Sequence, residues 1–101
     1  MSNTTTITKP KVNSQIKEPN LFKVVYVNDE KTTMEFVVES LMIVFNYTQE
    51  ASEHITMEIH ETGSSIVAIL PFELAEQKGL EVTTMARNQG FPLQVKVEEE
   101  Q

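Results

Sequence analysis

No cysteine and no tryptophan occur among the 101 residues, and glycine appears only three times. Without cysteine, disulfide frameworks, thiolate zinc sites and cysteine nucleophiles are excluded together. Three glycines leave little material for a phosphate-cradling loop, and neither a P-loop nor a GxGxxG run is present. Positive charge is also scarce, with 8 basic residues against 15 acidic ones, a net charge of -7 and a pI near 4.7. Phosphate backbones and anionic membrane surfaces repel such a chain. Its apolar runs fall far short of the ~18 residues of a membrane span, and the N-terminus has no basic n-region or apolar h-region. These absences predict a soluble, unprocessed, cytoplasmic protein that binds neither nucleic acid nor membrane. At 101 residues and 40% hydrophobic composition, one modest core and one domain are expected.

Catalytic chemistry is equally short of material. His54 and His60 are six residues apart, so on a helix they diverge by about 240° and cannot share a metal. No HExxH occurs, and no serine sits in a GxSxG elbow. Glu50/Glu53 and Glu58/Glu61 have helical spacing but read as a solvated face rather than an acid/base pair. Asn46-Tyr47-Thr48 matches a glycosylation sequon, with no secretory signal to expose it. No enzyme activity, metal or cofactor is expected, which leaves binding.

The chain divides at about residue 20. Residues 1 to 20 carry a charge of +2 and the remainder -9. The first segment has no aromatic and two prolines, too little apolar surface to offset its ordering entropy, and is expected to be a disordered extension ahead of a core over 21 to 101. FKVVYV, Phe22 to Val27, reads as a strand closed by the turn-prone pair Asn28-Asp29. Thr32-Thr33-Met34-Glu35 has the form of a capping box with Thr32 as N-cap, and Met34, Val37, Val38, Leu41 and Phe45 follow as one helical stripe. Thr48 opens a second helix, with Ala51, Ile55 and Ile59 as its apolar stripe and Gly63 as its stop. Ser65 to Leu70 reads as a buried strand, with Pro71 as first residue of a third helix carrying Phe72, Ala75, Gly79, Val82 and Ala86. Pro92 to Val97 alternates as a last strand, before a solvated acidic end. The order β-α-α-β-α-β predicts an α+β domain, three strands covered on one face by three helices.

The informative stretch is VNDEKTTMEFVV, Val27 to Val38, followed by MEIHETG, Met57 to Gly63, and by FPL, Phe91 to Leu93. By pattern alone these are a strand-turn-helix connection, the end of a helix and a loop. Together and in this order they resemble ClpS, the adaptor family of bacterial Clp proteases that selects substrates with destabilising N-terminal residues. The likeness runs from about Pro19 to Glu98.

The resemblance implies an antiparallel sheet on three helices and a non-catalytic adaptor delivering N-degron proteins to an AAA+ Clp unfoldase. It assigns Asn28, Asp29, Glu30 and His60 to the substrate's free α-amino group. That chemistry is coherent, because an N-terminal ammonium offers three donors and needs acceptors and a negative field. It assigns Thr32, Met34, Val37, Thr56, Ile59 and Leu93 to a pocket for a bulky hydrophobic side chain, although Met34, Val37 and Ile59 would serve equally as core by pattern. Glu73 and Lys78 match a surface that docks on the N-terminal domain of a ClpA-like or ClpC-like unfoldase. Two positions depart from the family: Thr56 replaces a usual methionine at the pocket's gate, and Glu30 replaces a commoner aspartate. The reading from another class is a structural interaction module, similar in layout to the C-terminal domain of the ribosomal stalk protein. Such a module has no need of the Asn28/His60 pair.

Overall fold

The computed structural model describes residues 20–100. Apart from Asn20, the expected disordered extension lies outside the described residues. The elements run β1 (Leu21–Val27), α1 (Met34–Phe45), α2 (Gln49–Thr62), β2 (Ser64–Pro71), α3 (Phe72–Asn88) and β3 (Gln94–Glu99). β1 is the central strand of a three-stranded antiparallel sheet in the order β2-β1-β3. The predicted order and fold class are those observed.

One face of the sheet carries the helices. Val24 and Tyr26 of β1 are fully buried and join Phe36, Val37, Leu41 and Val44 of α1, Ile59 of α2 and Ala75, Val82 and Ala86 of α3 in the core. On the opposite face Ile66 and Ile69 are about half exposed, so β2 alternates and is not the buried strand its apolar run suggests. The register slips between Val24 and Val25, leaving Val67 as the extra residue of a bulge. The Val67 carbonyl accepts the Tyr47 hydroxyl at 2.6 Å. Pro71 belongs to the strand, paired with Leu21, and caps α3 instead of opening it. An edge strand tolerates proline because its outward N–H has no ladder partner to lose.

The helix starts and stripes differ in detail from expectation. Thr33, not Thr32, caps α1, its hydroxyl accepting the Phe36 amide at 3.1 Å. Thr32 is occupied elsewhere: its hydroxyl and amide both donate to Asp29. The buried side of α1 is Phe36, Val37, Ser40, Leu41 and Val44, so Met34 lies off the core at 39% exposure. On α2 the buried set is Ser52, Thr56 and Ile59, one step round from the expected stripe. Thr48 caps α2 as expected, and Gly63 ends it at φ 97. In α3, Gly79 faces β3, where an added Cβ would make ordinary contact with Val97 at 3.5 Å.

Buried polar groups are few and mostly paired. The Tyr26 hydroxyl and Ser40 Oγ lie 2.7 Å apart, and Ser40 donates to the Val37 carbonyl at 2.9 Å. Burial pushes the Tyr26 phenol well above the ordinary tyrosine range, the bond to Ser40 offsetting only part of that.

Candidate functional site

The site forms where β1 ends. Antiparallel pairing sets Val27 opposite Ser64, and the next amide, that of Asn28, donates to the Gly63 carbonyl at 2.9 Å. Gly63 is the C-cap of α2, and its own amide reaches back to the Ile59 carbonyl. Asn28 is thereby fastened to the helix end whose last turn carries His60. Residues more than thirty apart in sequence meet because the strand ladder and the helix cap share one glycine. Both side chains are exposed, as is that of Glu30.

Asp29 has a different occupation. Its Oδ1 accepts the amides of Lys31 at 2.8 Å and Thr32 at 2.7 Å, while its Oδ2 accepts the Thr32 hydroxyl at 2.8 Å. Burial acts to raise its pKa. The bonds from the Thr32 amide and hydroxyl and the Lys31 amide, with the positive field of Arg87, outweigh it and hold the carboxyl below its ordinary value. The carboxylate therefore stays charged and builds the turn that aims Asn28 and Glu30. Its oxygens are already engaged, so it supplies negative field more readily than a further hydrogen bond.

The six expected pocket residues fall into three groups. Met34 and Thr56 line an open recess of about 550 Å³ between the start of α1 and the middle of α2, with Glu35, Val38, Gln49, Glu53 and Met57. Val37, Ile59 and Leu93 are buried in the core behind it, each less than 10% exposed. Thr32, half-buried, stands in the Asp29 turn that leads into α1. The Thr56 hydroxyl donates to the Ser52 carbonyl at 2.7 Å, so its polar atom is turned back onto the helix. Met57, 46% exposed, borders the same recess. The helical stripe expected for α1 included Val38 without assigning it to the pocket, and no pattern singled out Gln49.

Glu73 and Lys78 are also separated in role. Glu73 is exposed in the first turn of α3, whereas Lys78 is half-buried and its Nζ donates to the Val44 carbonyl at 3.0 Å. α1 has no basic residue in its own last turn, and Lys78 supplies that charge from α3.

Comparison with known proteins bears on the family and the fold. The family model described as ATP-dependent Clp protease adaptor protein ClpS matches residues 17–96. The chain belongs to the ClpS family. It is 42% identical over 87 residues to the ATP-dependent Clp protease adapter protein ClpS of Campylobacter jejuni strain 81-176, covering 86% of this chain and 91% of that one. To the adapter of Treponema denticola it is 39% identical over 87 residues, 86% of each chain. Among solved structures, Agrobacterium tumefaciens ClpS2 bound to L-phenylalaninamide superposes with a TM-score of 0.80 at 35% identity, covering 82% of this chain and all of that one. Nothing in these findings favours the stalk-like structural module. No helix among the described residues is long and apolar enough to cross a membrane.

Proposed function

We propose that this chain is a non-catalytic cytoplasmic adaptor that binds proteins bearing a free, bulky hydrophobic N-terminal residue and delivers them to a Clp unfoldase. The observation that carries this reading is the fastening of Asn28 to the end of α2 that bears His60, the same helix whose middle lines an open recess with Met34. Asn28 and His60 supply neutral acceptors for an ammonium, Glu30 a carboxylate, and Asp29 a fixed negative charge. The solved relative's ligand, phenylalaninamide, has the same two features, a free α-amine and a large side chain.

The magnitudes are sufficient. Each charge-assisted bond to the ammonium contributes roughly 1.5 to 3 kcal/mol. Burying a Leu or Phe side chain adds roughly 1.5 to 3 kcal/mol. After association entropy, the total is compatible with micromolar binding, about -8 kcal/mol. Glu73, with Lys78 five residues further along α3, is the docking surface for the N-terminal domain of a ClpA-like or ClpC-like unfoldase.

One titration panel tests the reading. Fluorescence anisotropy with peptides starting in Phe, Leu, Ile and acetyl-Phe should show binding to free Phe and Leu and loss with acetyl-Phe. His60→Ala should weaken Phe-peptide binding by roughly 1 to 3 kcal/mol with the fold intact. Equal affinity for the free and acetylated peptides would falsify the amine site. The panel also reads Thr56, whose side chain, shorter than methionine, should admit N-terminal Ile within about tenfold of Leu, a gap of about 1.4 kcal/mol. Thr56→Met should restore rejection of Ile while sparing Leu. If wild type already rejects Ile a thousandfold, Met57 closes the recess instead.

A further inference from the structure

Two loops must hold their relative position for the site to exist: the 28–33 turn, with Asn28 and Asp29, and the 89–93 segment, with Leu93. The strands they extend meet at the Val27–Gln94 pair, but neither segment is itself part of the ladder. The second segment wraps back over the end of α3, with the Phe91 amide donating to the Ala86 carbonyl at 2.9 Å. Arg87, in the last turn of the same helix, closes the wrap. One guanidinium nitrogen, Nη1, donates to the carbonyls of both Phe91 and Leu93, each at 2.9 Å. The Phe91 ring sits edge-on to Phe36 of α1, centroids 5.3 Å apart, and the Phe36 amide is capped by Thr33, next to Thr32 of the Asp29 turn. Leu93 itself is 1% exposed in the same core cluster as Val37 and Ile59.

We propose that Arg87 is a positioning residue for the N-terminal-residue site, clamping the 89–93 segment by two backbone carbonyls so that Leu93 and the Asp29 turn keep one relative position. A planar guanidinium suits the task, because it stays charged and its donors have fixed directions. Its positive charge also favours the ionised Asp29 carboxylate, a minor contribution beside the hydrogen bonds from Thr32 and Lys31. Arg87 touches neither the amine acceptors nor the recess, and it acts through Leu93 and Asp29.

The inference rests on the reading of the site given above, and its test separates the two. Full-length wild type, Arg87→Met and Arg87→Lys are compared well below their melting temperatures by amide NMR without peptide and by anisotropy with a free Phe peptide. In Arg87→Met, amide signals of both 29–32 and 91–93 should shift, and Phe-peptide affinity should fall roughly tenfold in protein that remains folded, equivalent to about 1.4 kcal/mol. Arg87→Lys, which keeps the charge and a donor, should recover most of that loss. Shifts confined to 91–93, or wild-type affinity in folded Arg87→Met, would overturn the proposal. If Arg87→Met does not fold, Arg87→Lys alone decides, since its shorter and more flexible side chain cannot hold both carbonyls as rigidly and the variant must bind the peptide measurably more weakly than wild type. Failure of wild type to distinguish Phe from acetyl-Phe would sink the site reading, while the two sets of amide shifts would still report on the clamp.

Discussion

Thr32 and Thr33 show how one side-chain bond decides between two sequence patterns. The run Thr32-Thr33-Met34-Glu35 satisfies the capping-box spacing from Thr32, but either threonine can cap the helix. Asp29 settles the choice, because its carboxylate takes the Thr32 amide and hydroxyl and leaves Thr33 to the helix. The two threonines should therefore separate in experiment. Thr33→Ala removes a cap, and melting should show a loss of about 1 kcal/mol with little change in peptide affinity. Thr32→Val removes the hydroxyl held by Asp29, so it should weaken Phe-peptide binding more than it lowers melting temperature. The opposite ranking would return the cap to Thr32. Buried hydroxyls on α2 escaped the pattern for a similar reason. Ser52 and Thr56 face inward; Thr56 is satisfied there by the carbonyl one turn back, whereas among the described residues the Ser52 hydroxyl is buried without a partner.

At the scale of elements, periodicity read the strands and helices in order because each apolar spacing had one consistent partner. It misread burial where tertiary placement decides. An apolar run such as Ser65 to Leu70 is ambiguous between a two-sided interior strand and an edge strand with one open face, and no local feature separates them. Of the candidate site, the residues proposed for the amine came only through the family resemblance, since Asn28 and His60 have no distinguishing pattern of their own. The division of the pocket residues into recess and core depends on helix rotation, which the sequence fixes only to about one residue. Lys78 carries the clearest lesson. An exposed-looking lysine on α3 completes the C-terminus of α1, a contact 34 residues away. Lys78→Met should cost about 1 to 2 kcal/mol, a lost charged hydrogen bond at a helix C-terminus. For a domain of this size that is roughly 4 to 16 °C of melting temperature. Glu73→Gln, with no such contact, should leave melting nearly unchanged and weaken docking to the unfoldase's N-terminal domain. Unchanged melting of Lys78→Met would return Lys78 to the role of a purely exposed docking residue.

Across the whole molecule, β1 separates two working ends. Its C-terminal end leads into Asn28 and the peptide site. Its N-terminal end, Leu21, pairs with Pro71, immediately before α3 and Glu73. Seven residues of strand put about 20 Å between the ends at roughly 3.3 Å per residue. The chain preceding β1 joins at the Glu73 end, where the Asn20 side chain donates to Glu99 and the Glu100 amide donates to the Leu21 carbonyl at 2.9 Å. Every residue proposed for peptide or unfoldase contact lies within residues 28 to 93, inside the folded core. The N-terminal segment, positive where the remainder is strongly negative, joins the core at the strand end near Glu73, the residue proposed for unfoldase docking. Deleting residues 1 to 17 should leave Phe-peptide affinity and melting temperature nearly unchanged while slowing degradation of an N-terminal-Phe substrate by the reconstituted Clp protease. The comparison of affinity with degradation rate in the same preparation decides: loss of both would tie the segment to the peptide site against the strand geometry, and loss of neither would leave it without a part in delivery.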